Sequence, residues 1–346
     1  MKKREHIPCA YAEFVIDDIF CFLKQFKYHF EQKSFLYRGQ ADASWWLKTS
    51  YERYKEEKLT TAFDPRYFDG RCDRFLFHGE LAAISHYRAA NKICYDAKRP
   101  KLEALSEMQH YGAPTRLLDV TESFGVALFF AVVENPNHGD AAIWVINKNL
   151  LITSFIGNHE PKSQVTKTYL MFNPRVETTL PFDDEFAIDN FSQVESRSND
   201  LFCDFAEELI GHQTVTYPPK HIPYSTVYPG VFPIRPSVFN DRILAQRGSF
   251  LFQQSLEHSF MNNLLSVFNI SQKDFDEIAS CDNHPKISDV NADSLAVTTC
   301  FMKFIIPHSI FNDCEQVLSS MNINHESLFP DKFGIAKTAM KKYFAK

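Results

Sequence analysis

Several common signatures of chemistry are missing from this sequence of 346 residues. It has no G-x-x-x-x-G-K or G-x-G-x-x-G segment, which excludes the glycine-rich loops that cradle phosphates in many nucleotide-binding proteins. The eight cysteines are scattered, without a C-x-x-C pair or a close Cys/His grouping. This spacing argues against a zinc site or a disulfide framework and predicts reduced, mostly buried thiols with no bound metal.

Long apolar runs and an excess of positive charge are also missing. No uninterrupted apolar stretch approaches the roughly 20 residues that a membrane span needs, and the basic N-terminus lacks the apolar segment of a signal peptide. The formal net charge is −6, so no overall field draws the protein onto nucleic acid or an anionic membrane. We therefore expect a soluble, cytoplasmic protein without a membrane partner, in which any contact with nucleic acid is local.

The sequence does contain enough apolar material for a large core. Its hydrophobic content is 45%, and it includes 33 phenylalanines, which favours a thick aromatic core. Helical and strand patterns follow one another without regular βαβ alternation or an internal repeat, which is typical of an α+β fold. The patterns predict strands at 34–40, 115–119, 141–146, 249–252 and 301–306, and helices after 17–18, at about 73–94, before 112, and at 126–133, 236–243, 309–321 and 332–344.

The stretch from Met108 to Ala131 organises the chain. Gly112 followed by Pro114 is the usual order for ending a helix and preventing its continuation. A short apolar strand then leads to Thr121 and Ser123, either of which can cap the next helix. Polar side chains are thereby held at the junction between a strand and a helix.

The same residues carry a resemblance to a known family. The matching segments are Gln109-His110-Tyr111-Gly112-x-Pro114-Thr115-Arg116-Leu117-Leu118-Asp119-x-Thr121, Ala127-Leu128-Phe129-Phe130-Ala131, Tyr37-Arg38-Gly39-Gln40, Trp45-Trp46 and the helical Glu80. Together they resemble the FRG domain, which is named after a Phe-Arg-Gly tripeptide. A weaker echo is Arg242-x-x-x-Gln246-x-Gly248-x-Phe250. We expect one elaborated domain over 1–346, with an FRG core at 14–147, a family-specific elaboration at 151–234, and C-terminal strands and helices at 235–346 that complete the fold.

The resemblance implies a fold and a chemistry. FRG domains resemble the ADP-ribosyltransferase superfamily, whose α+β fold has a split, mixed sheet flanked by helices and whose co-substrate is NAD. Active sites of that superfamily combine an Arg or His on a strand, a Ser or Thr before a helix, and a Gln, Glu or Asp on a later strand. The resemblance therefore implies catalytic roles for Arg38, Thr121 and Gln246, together with the helical acid Glu80. The residues implied to contact NAD are Tyr37, Arg38, Gly39, Gln40, His110, Arg116, Asp119 and Thr121.

Each of these residues has a chemical use and a structural alternative. A guanidinium such as Arg38 can hold a pyrophosphate through two hydrogen bonds, although an arginine at a strand end also forms ion pairs. Gln246 can bond a ribose hydroxyl but carries no negative charge, so Asp119, Glu122 or Glu80 could supply that charge instead. Asp119 could equally pair with Arg116 or cap a helix, Glu80 could anchor Arg38, and His110 could cap a carbonyl.

The function that the resemblance implies is NAD-dependent mono-ADP-ribosylation by a bacterial toxin or anti-phage effector. The acceptor would be a nucleic acid, with RNA slightly favoured over DNA, or a protein. The basic region at 66–101 can either bind a single strand of nucleic acid or form a solvated face. The acidic stretch at 183–208 is the predicted docking site of a neutralising antitoxin or regulator. A ligand-binding or partner-binding module without turnover is the main alternative, and a nuclease or other hydrolase is the third.

Overall fold

The structure is a computed structural model of the chain. It describes residues 10–31, 35–61, 72–91, 99–133, 135, 139–158, 191–212, 229–235, 241–281, 283–289 and 299–344.

A seven-stranded mixed sheet forms the centre of the described part of the chain. The strands are β1 (Ala10–Val15), β2 (Phe35–Gln40), β3 (Leu117–Thr121), β4 (Ala141–Asn147), β5 (Val231–Ile234), β6 (Gly248–Gln253) and β7 (Thr299–Ile306). Their order across the sheet is β1-β7-β4-β2-β3-β6-β5. The β1–β7 pair is parallel, and the other neighbouring strands are antiparallel. The predicted α+β class and mixed sheet are confirmed.

The sheet is split between β2 and β3. Strand β2 pairs with β4 along its whole length, and β3 pairs with β6 along its whole length. Between β2 and β3, in contrast, Tyr37 and Thr121 are the one pair of residues in register. Two continuous ladders therefore meet at a single pair of residues and diverge beside it.

Helices cover both faces of this sheet. The helices are α1 (Ile19–Glu31), α2 (Ser50–Thr61), α3 (Cys72–Ala90), α4 (Pro100–His110), α5 (Phe124–Val132), α6 (Lys148–Asn158), α7 (Phe191–His212), α8 (Asp241–Ala245), α9 (Phe260–Phe268), α10 (Gln272–Ala279), α11 (Phe311–Ser320), α12 (His325–Leu328) and α13 (Lys332–Phe344). Successive strand residues enter different apolar clusters: Leu36 packs with α4, α7 and α9, whereas Tyr37 packs with α1, α5 and α11. This alternation is the ordinary consequence of the strand period of two.

Most of the predicted elements are present, with corrections at helix starts. Helix α13 has the predicted bounds, and α4 ends where Gly112 adopts a positive φ of 83°. Asp18 caps α1, which buries Phe22 and leaves Phe20 53% exposed. The helix predicted over 309–321 begins at Phe311, because a 3₁₀ turn at His308–Ile310 precedes it and Ile310 occupies the N-cap without a side-chain bond. Helix α8 begins at Asp241, and its predicted start at 236–237 lies outside the described residues.

The described parts of the 151–234 segment pack closely against the FRG-like part. Strand β5 forms one edge of the common sheet, and α7 lies against α4.

Two cysteines differ in their chemistry. Burial raises the pKa of the Cys203 thiol on α7 to about 11. Cys300 takes part in a disulfide bond, so the expectation that all the thiols are reduced is wrong at this position. Among the described helices, none has both the length and the apolar character needed to cross a membrane.

Candidate active site at the split of the sheet

A pocket of about 390 Å³ opens where β2 and β3 diverge. Helix α4 contributes Gln109 and His110 to its wall, and α5 contributes Ala127 and Phe130 from the other face of the sheet. The volume lies within the range of small-molecule sites, and the lining mixes apolar with polar groups. The topology therefore creates a cleft in the middle of the sheet, between β2 and β3.

Arg38 reaches across the split. Its Nη1 donates a 2.6 Å hydrogen bond to the main-chain carbonyl of Asp119 and lies 3.8 Å from the carboxylate Oδ2 of the same residue. The side chain lines the pocket with 21% of its surface exposed, and its buried Nε has no hydrogen-bond partner. Burial lowers the pKa of the Arg38 guanidinium, the Asp119 carboxylate opposes this shift, and Arg53 adds to it. A bound anion would compensate the buried cation and could satisfy the open donor.

Gly39 allows helix α5 to approach β2. A Cβ atom at this position would lie 1.9 Å from the carbonyl oxygen of Ala127, well inside any real contact distance. A side chain here would force the helix away from the strand. Arg38 therefore supplies a side chain to the pocket, and Gly39 next to it lets helix α5 pack directly against the β2 backbone.

Gln109 holds Asp119 in place. The Gln109 Nε2 donates a 2.8 Å bond to the Asp119 Oδ2, while its Oε1 accepts bonds from the hydroxyls of Ser50 and Thr115. Because both ends of the amide are engaged, its orientation is fixed. Asp119 itself keeps 59% of its side chain exposed, so its carboxylate is presented to the pocket.

Thr121 and Gln246 meet at the other side of the split. The Thr121 hydroxyl donates a 2.7 Å bond to the main-chain carbonyl of Gln246 and accepts one from the Ser123 amide. Ser123, not Thr121, caps α5 by accepting from the Val126 amide. Gln246 lies in the turn before β6 and not on the strand, and its Nε2 donates to the carbonyl of Leu328. Both predicted residues line the pocket, with these side-chain bonds directed to the protein itself.

The C-terminal part of the chain closes one side of the pocket. Arg242 on α8 forms an ion pair with Asp331 and lies over the Phe329 ring, 5.3 Å from its centroid. Ser249 on β6 also lines the pocket; it is 6% exposed and its hydroxyl has no hydrogen-bond partner. The pocket therefore contains two buried polar atoms without partners, the Arg38 Nε and the Ser249 Oγ.

Three of the residues predicted from the sequence do not line the pocket. Arg116 is fully buried and forms two hydrogen bonds with Glu80, of 2.9 and 2.6 Å. Gln40 is buried between the main-chain carbonyl of Trp46 and the indole NH of Trp144. Each is satisfied by the protein core, so a contact with a ligand in the pocket would require these bonds to break.

These contacts also correct two predicted pairings. Glu80 pairs with Arg116 and does not anchor Arg38, and Asp119 pairs with Arg38 rather than Arg116. Tyr37, Gly39 and His110 do line the pocket. His110 stands on the last turn of α4 with its ring 5.1 Å from that of Tyr111.

The other predicted acid, Glu122, is held outside the pocket. Its Oε1 contacts the Lys148 ammonium at 2.8 Å and the Arg235 guanidinium at 2.6 Å. Although burial raises the pKa of the Glu122 carboxyl, the Lys148 hydrogen bond and the two positive charges together lower it. Glu122 is therefore ionised, and it links the start of α6 to the end of β5 through these two ion pairs.

Part of the charged surface predicted for partners is used inside the molecule. Arg99 binds Asp200 at 2.8 Å and Asp204 at 2.7 Å, and Lys101 lies 3.7 Å from Glu207. These residues come from the predicted nucleic-acid region and from the predicted docking stretch, and they join α4 to α7. Other charged residues of the two predicted stretches, at 66–71, 92–98 and 183–190, lie outside the described residues.

Sequence reasoning missed three pocket residues with polar side chains: Gln109, Arg242 and Ser249. Gln109 begins the quoted Gln-His-Tyr-Gly motif, and Arg242 begins the weaker C-terminal echo, so both could have been found from the motifs themselves. Ser249 follows Gly248 in that echo but carries no pattern of its own. Within the described residues, no group of three or more His, Cys, Asp or Glu side chains is arranged to hold a metal ion.

The comparison with protein families adds one observation. Residues 33–140 match the FRG domain. This FRG segment contains β2, α4, β3 and α5, and hence Arg38, Gly39, Gln109, Asp119 and Thr121. No curated protein and no solved structure matches the chain. The FRG segment supplies most of the pocket wall, while Arg242, Gln246 and Ser249 come from the chain beyond it.

Proposed function

We propose that the protein is an NAD-dependent mono-ADP-ribosyltransferase with its active site in the pocket at the split of the sheet. The observation that carries the proposal is the Arg38 guanidinium, which faces the pocket with a buried, unpaired Nε. The proposal is also supported by the split, mixed sheet with Arg38, Thr121 and Gln246 around one pocket, since this arrangement is the one that the resemblance to ADP-ribosyltransferases implies.

The pocket residues fit a dinucleotide with a diphosphate. The open Nε of Arg38 can donate to a diphosphate oxygen, and the anion offsets the cost of burying the guanidinium. The unpaired Ser249 hydroxyl can bond a polar group of the ligand, and Phe130 and Phe329 provide an apolar wall for an aromatic ring. Breaking the bond between nicotinamide and its ribose develops positive charge on the sugar, so a nearby carboxylate such as Asp119 is favourable.

The acceptor is proposed to be a macromolecule of the cell, as expected for a toxin or defence effector held in check by a regulator. RNA is the first acceptor to test, followed by single-stranded DNA and protein. The internal ion pairs of Arg99 and Lys101 remove two cations from the predicted nucleic-acid surface, so an RNA acceptor depends on other cationic groups.

The first experiment combines binding with turnover. Purified protein is titrated with ADP-ribose by calorimetry, and is then incubated with NAD and each acceptor class while nicotinamide release and transfer of labelled ADP-ribose are measured. Arg38→Ala should weaken ADP-ribose binding about 10- to 100-fold, since it removes a charge-assisted contact. Arg53→Ala is the matched control, because Arg53 lies near Arg38 but does not line the pocket and bonds the carbonyl of Lys48.

Each result has a definite meaning. Binding and transfer that Arg38→Ala abolishes and Arg53→Ala preserves would support the transferase. Binding without nicotinamide release or transfer would favour the ligand-binding module. Equal binding by the wild type and Arg38→Ala would show that Arg38 does not contact the ligand, and would overturn the proposal.

A further inference from the structure

We infer that Asp119 is the catalytic carboxylate of this pocket, accepting the proton of the acceptor group as that group attacks the ribose. The inference rests on the proposed transferase function. It fills the place left by Gln246, which carries no charge and whose Nε2 is bonded to the Leu328 carbonyl.

The other predicted acids are excluded by their contacts. Glu80 is 9% exposed and bound through both oxygens to Arg116. Glu122 is clamped between Lys148 and Arg235. Among the described residues that line the pocket, Asp119 alone has a carboxylate.

The geometry around Asp119 suits a general base. One carboxylate oxygen, Oδ2, accepts a 2.8 Å bond from the fixed Gln109 amide and lies 3.8 Å from the Arg38 Nη1. No described protein group donates to the other oxygen, Oδ1, and the side chain is 59% exposed. One oxygen is thus oriented by the protein while the other is open to the pocket, which is the arrangement that proton transfer requires.

The chemical step balances with these groups. The bond between the ribose C1′ and the nicotinamide nitrogen breaks, and its electron pair stays on that nitrogen, which neutralises the pyridinium. The acceptor's nucleophilic atom forms a new bond to C1′, and its proton moves to the Asp119 carboxylate, from which water removes it. Arg38, which is held to the main chain of Asp119, keeps the diphosphate on the same side of the pocket as the base.

The test separates chemistry from binding. Asp119→Asn keeps an oxygen that can accept from Gln109 but cannot take the proton, so transfer should fall at least about 100-fold. ADP-ribose should bind this variant as well as the wild type or more tightly, because a negative charge beside the diphosphate is removed. Asp119→Glu should recover part of the transfer rate. Glu56→Gln makes the same chemical change at a carboxylate that pairs with Lys48 outside the pocket, and should leave transfer unchanged.

A pH profile gives the second readout. The profile of the wild type should differ from that of the residual transfer by Asp119→Asn, because the amide cannot accept a proton from the acceptor. Wild-type transfer retained in Asp119→Asn, or a loss that is explained by weaker ADP-ribose binding, would overturn the assignment of Asp119. Absence of nicotinamide release from the wild type itself would instead overturn the proposed function, and the assignment would fall with it.

Discussion

At the scale of single residues, the pocket is distinguished by polar atoms that the protein leaves unsatisfied. Buried polar groups in folded proteins are nearly always hydrogen-bonded, because an unpaired one costs free energy. The Arg38 Nε and the Ser249 Oγ both lack partners and both belong to residues that line the same pocket. A ligand that hydrogen-bonds both atoms would offset the free-energy cost of burying them unpaired.

Ser249 allows this idea to be tested without damaging the fold. Ser249→Ala removes a hydroxyl that bonds no protein group, so the free energy of unfolding should stay within about 0.5 kcal/mol of wild type or rise. ADP-ribose affinity should fall several-fold, because the ligand loses a hydrogen bond. Denaturant unfolding and calorimetric titration of the same two proteins measure both effects. Lower stability together with unchanged affinity would show that Ser249 serves the fold and not the ligand.

The residue scale also shows where sequence reasoning stops. Motif position selected Arg38, Thr121 and Gln246, and the structure brings these three residues to one pocket. It could not distinguish Arg38 from Arg116, since both are motif arginines and the difference lies in their partners. Arg116 is hydrogen-bonded to Glu80, 36 positions earlier in the chain. Only the folded structure shows this pair, which keeps the Arg116 guanidinium from binding a ligand.

At the scale of elements, the pocket depends on helix α5 lying directly against β2. Phe124, Ala127 and Leu128 belong to the apolar cluster that also contains Tyr37. The contact at Gly39 is backbone to backbone, so the α5 wall of the pocket is set by the absence of a side chain.

Two glycine substitutions should have opposite effects. Gly39→Ala places a methyl group 1.9 Å from the Ala127 carbonyl oxygen and should destabilise the fold by about 1–3 kcal/mol or more, with loss of ligand binding as α5 moves. Gly79→Ala is the matched control: it lies within α3 with nothing within 4 Å of the new methyl, and should stabilise by about 0.5–1 kcal/mol. Thermal or denaturant unfolding measures both. Gly39→Ala at wild-type stability would contradict the close packing.

Local patterns predicted the elements better than their arrangement. The period of apolar residues identified β2, β4, β7 and α13, and a Gly-Pro pair identified the end of α4. Strand pairing depends on residues far apart in sequence, such as Tyr11 with Phe301 in the β1–β7 pair. Neither the strand order nor the location of Gln246 in a turn could be derived from local periodicity; the split was expected from the resemblance.

At the scale of the whole molecule, partly buried ion pairs join the FRG segment to the rest of the chain. Glu122, which lies between β3 and α5, contacts Lys148 at the start of α6 and Arg235 just after β5. Arg99 and Lys101 make a corresponding connection to α7. The FRG segment is therefore tied electrostatically to the later part of the chain.

Glu122 gives this connection a pH dependence. The folded-state pKa of its carboxyl lies below the usual value of 4.5, so its contribution to stability is complete above that pH and is lost as the pH falls through the folded value. Glu122→Gln should cost about 1.5–3 kcal/mol at neutral pH, and the difference from wild type should shrink on acidification. Urea unfolding at a series of pH values measures this difference, with the exposed Glu56→Gln as control. A difference that stays constant with pH would show that the ionised Glu122 carboxylate does not stabilise the fold.

The single pairing of Tyr37 with Thr121 has a mechanical consequence for the whole sheet. The four strands on one side of the split and the three on the other are joined in the sheet by that one pair, and the Arg38 bond to the Asp119 carbonyl crosses the gap beside it. A ligand bound in that gap contacts both groups of strands at once. We therefore expect ligand binding to reduce the motion of the two groups relative to each other, including at amides of β4 and β6 that lie far from any ligand atom.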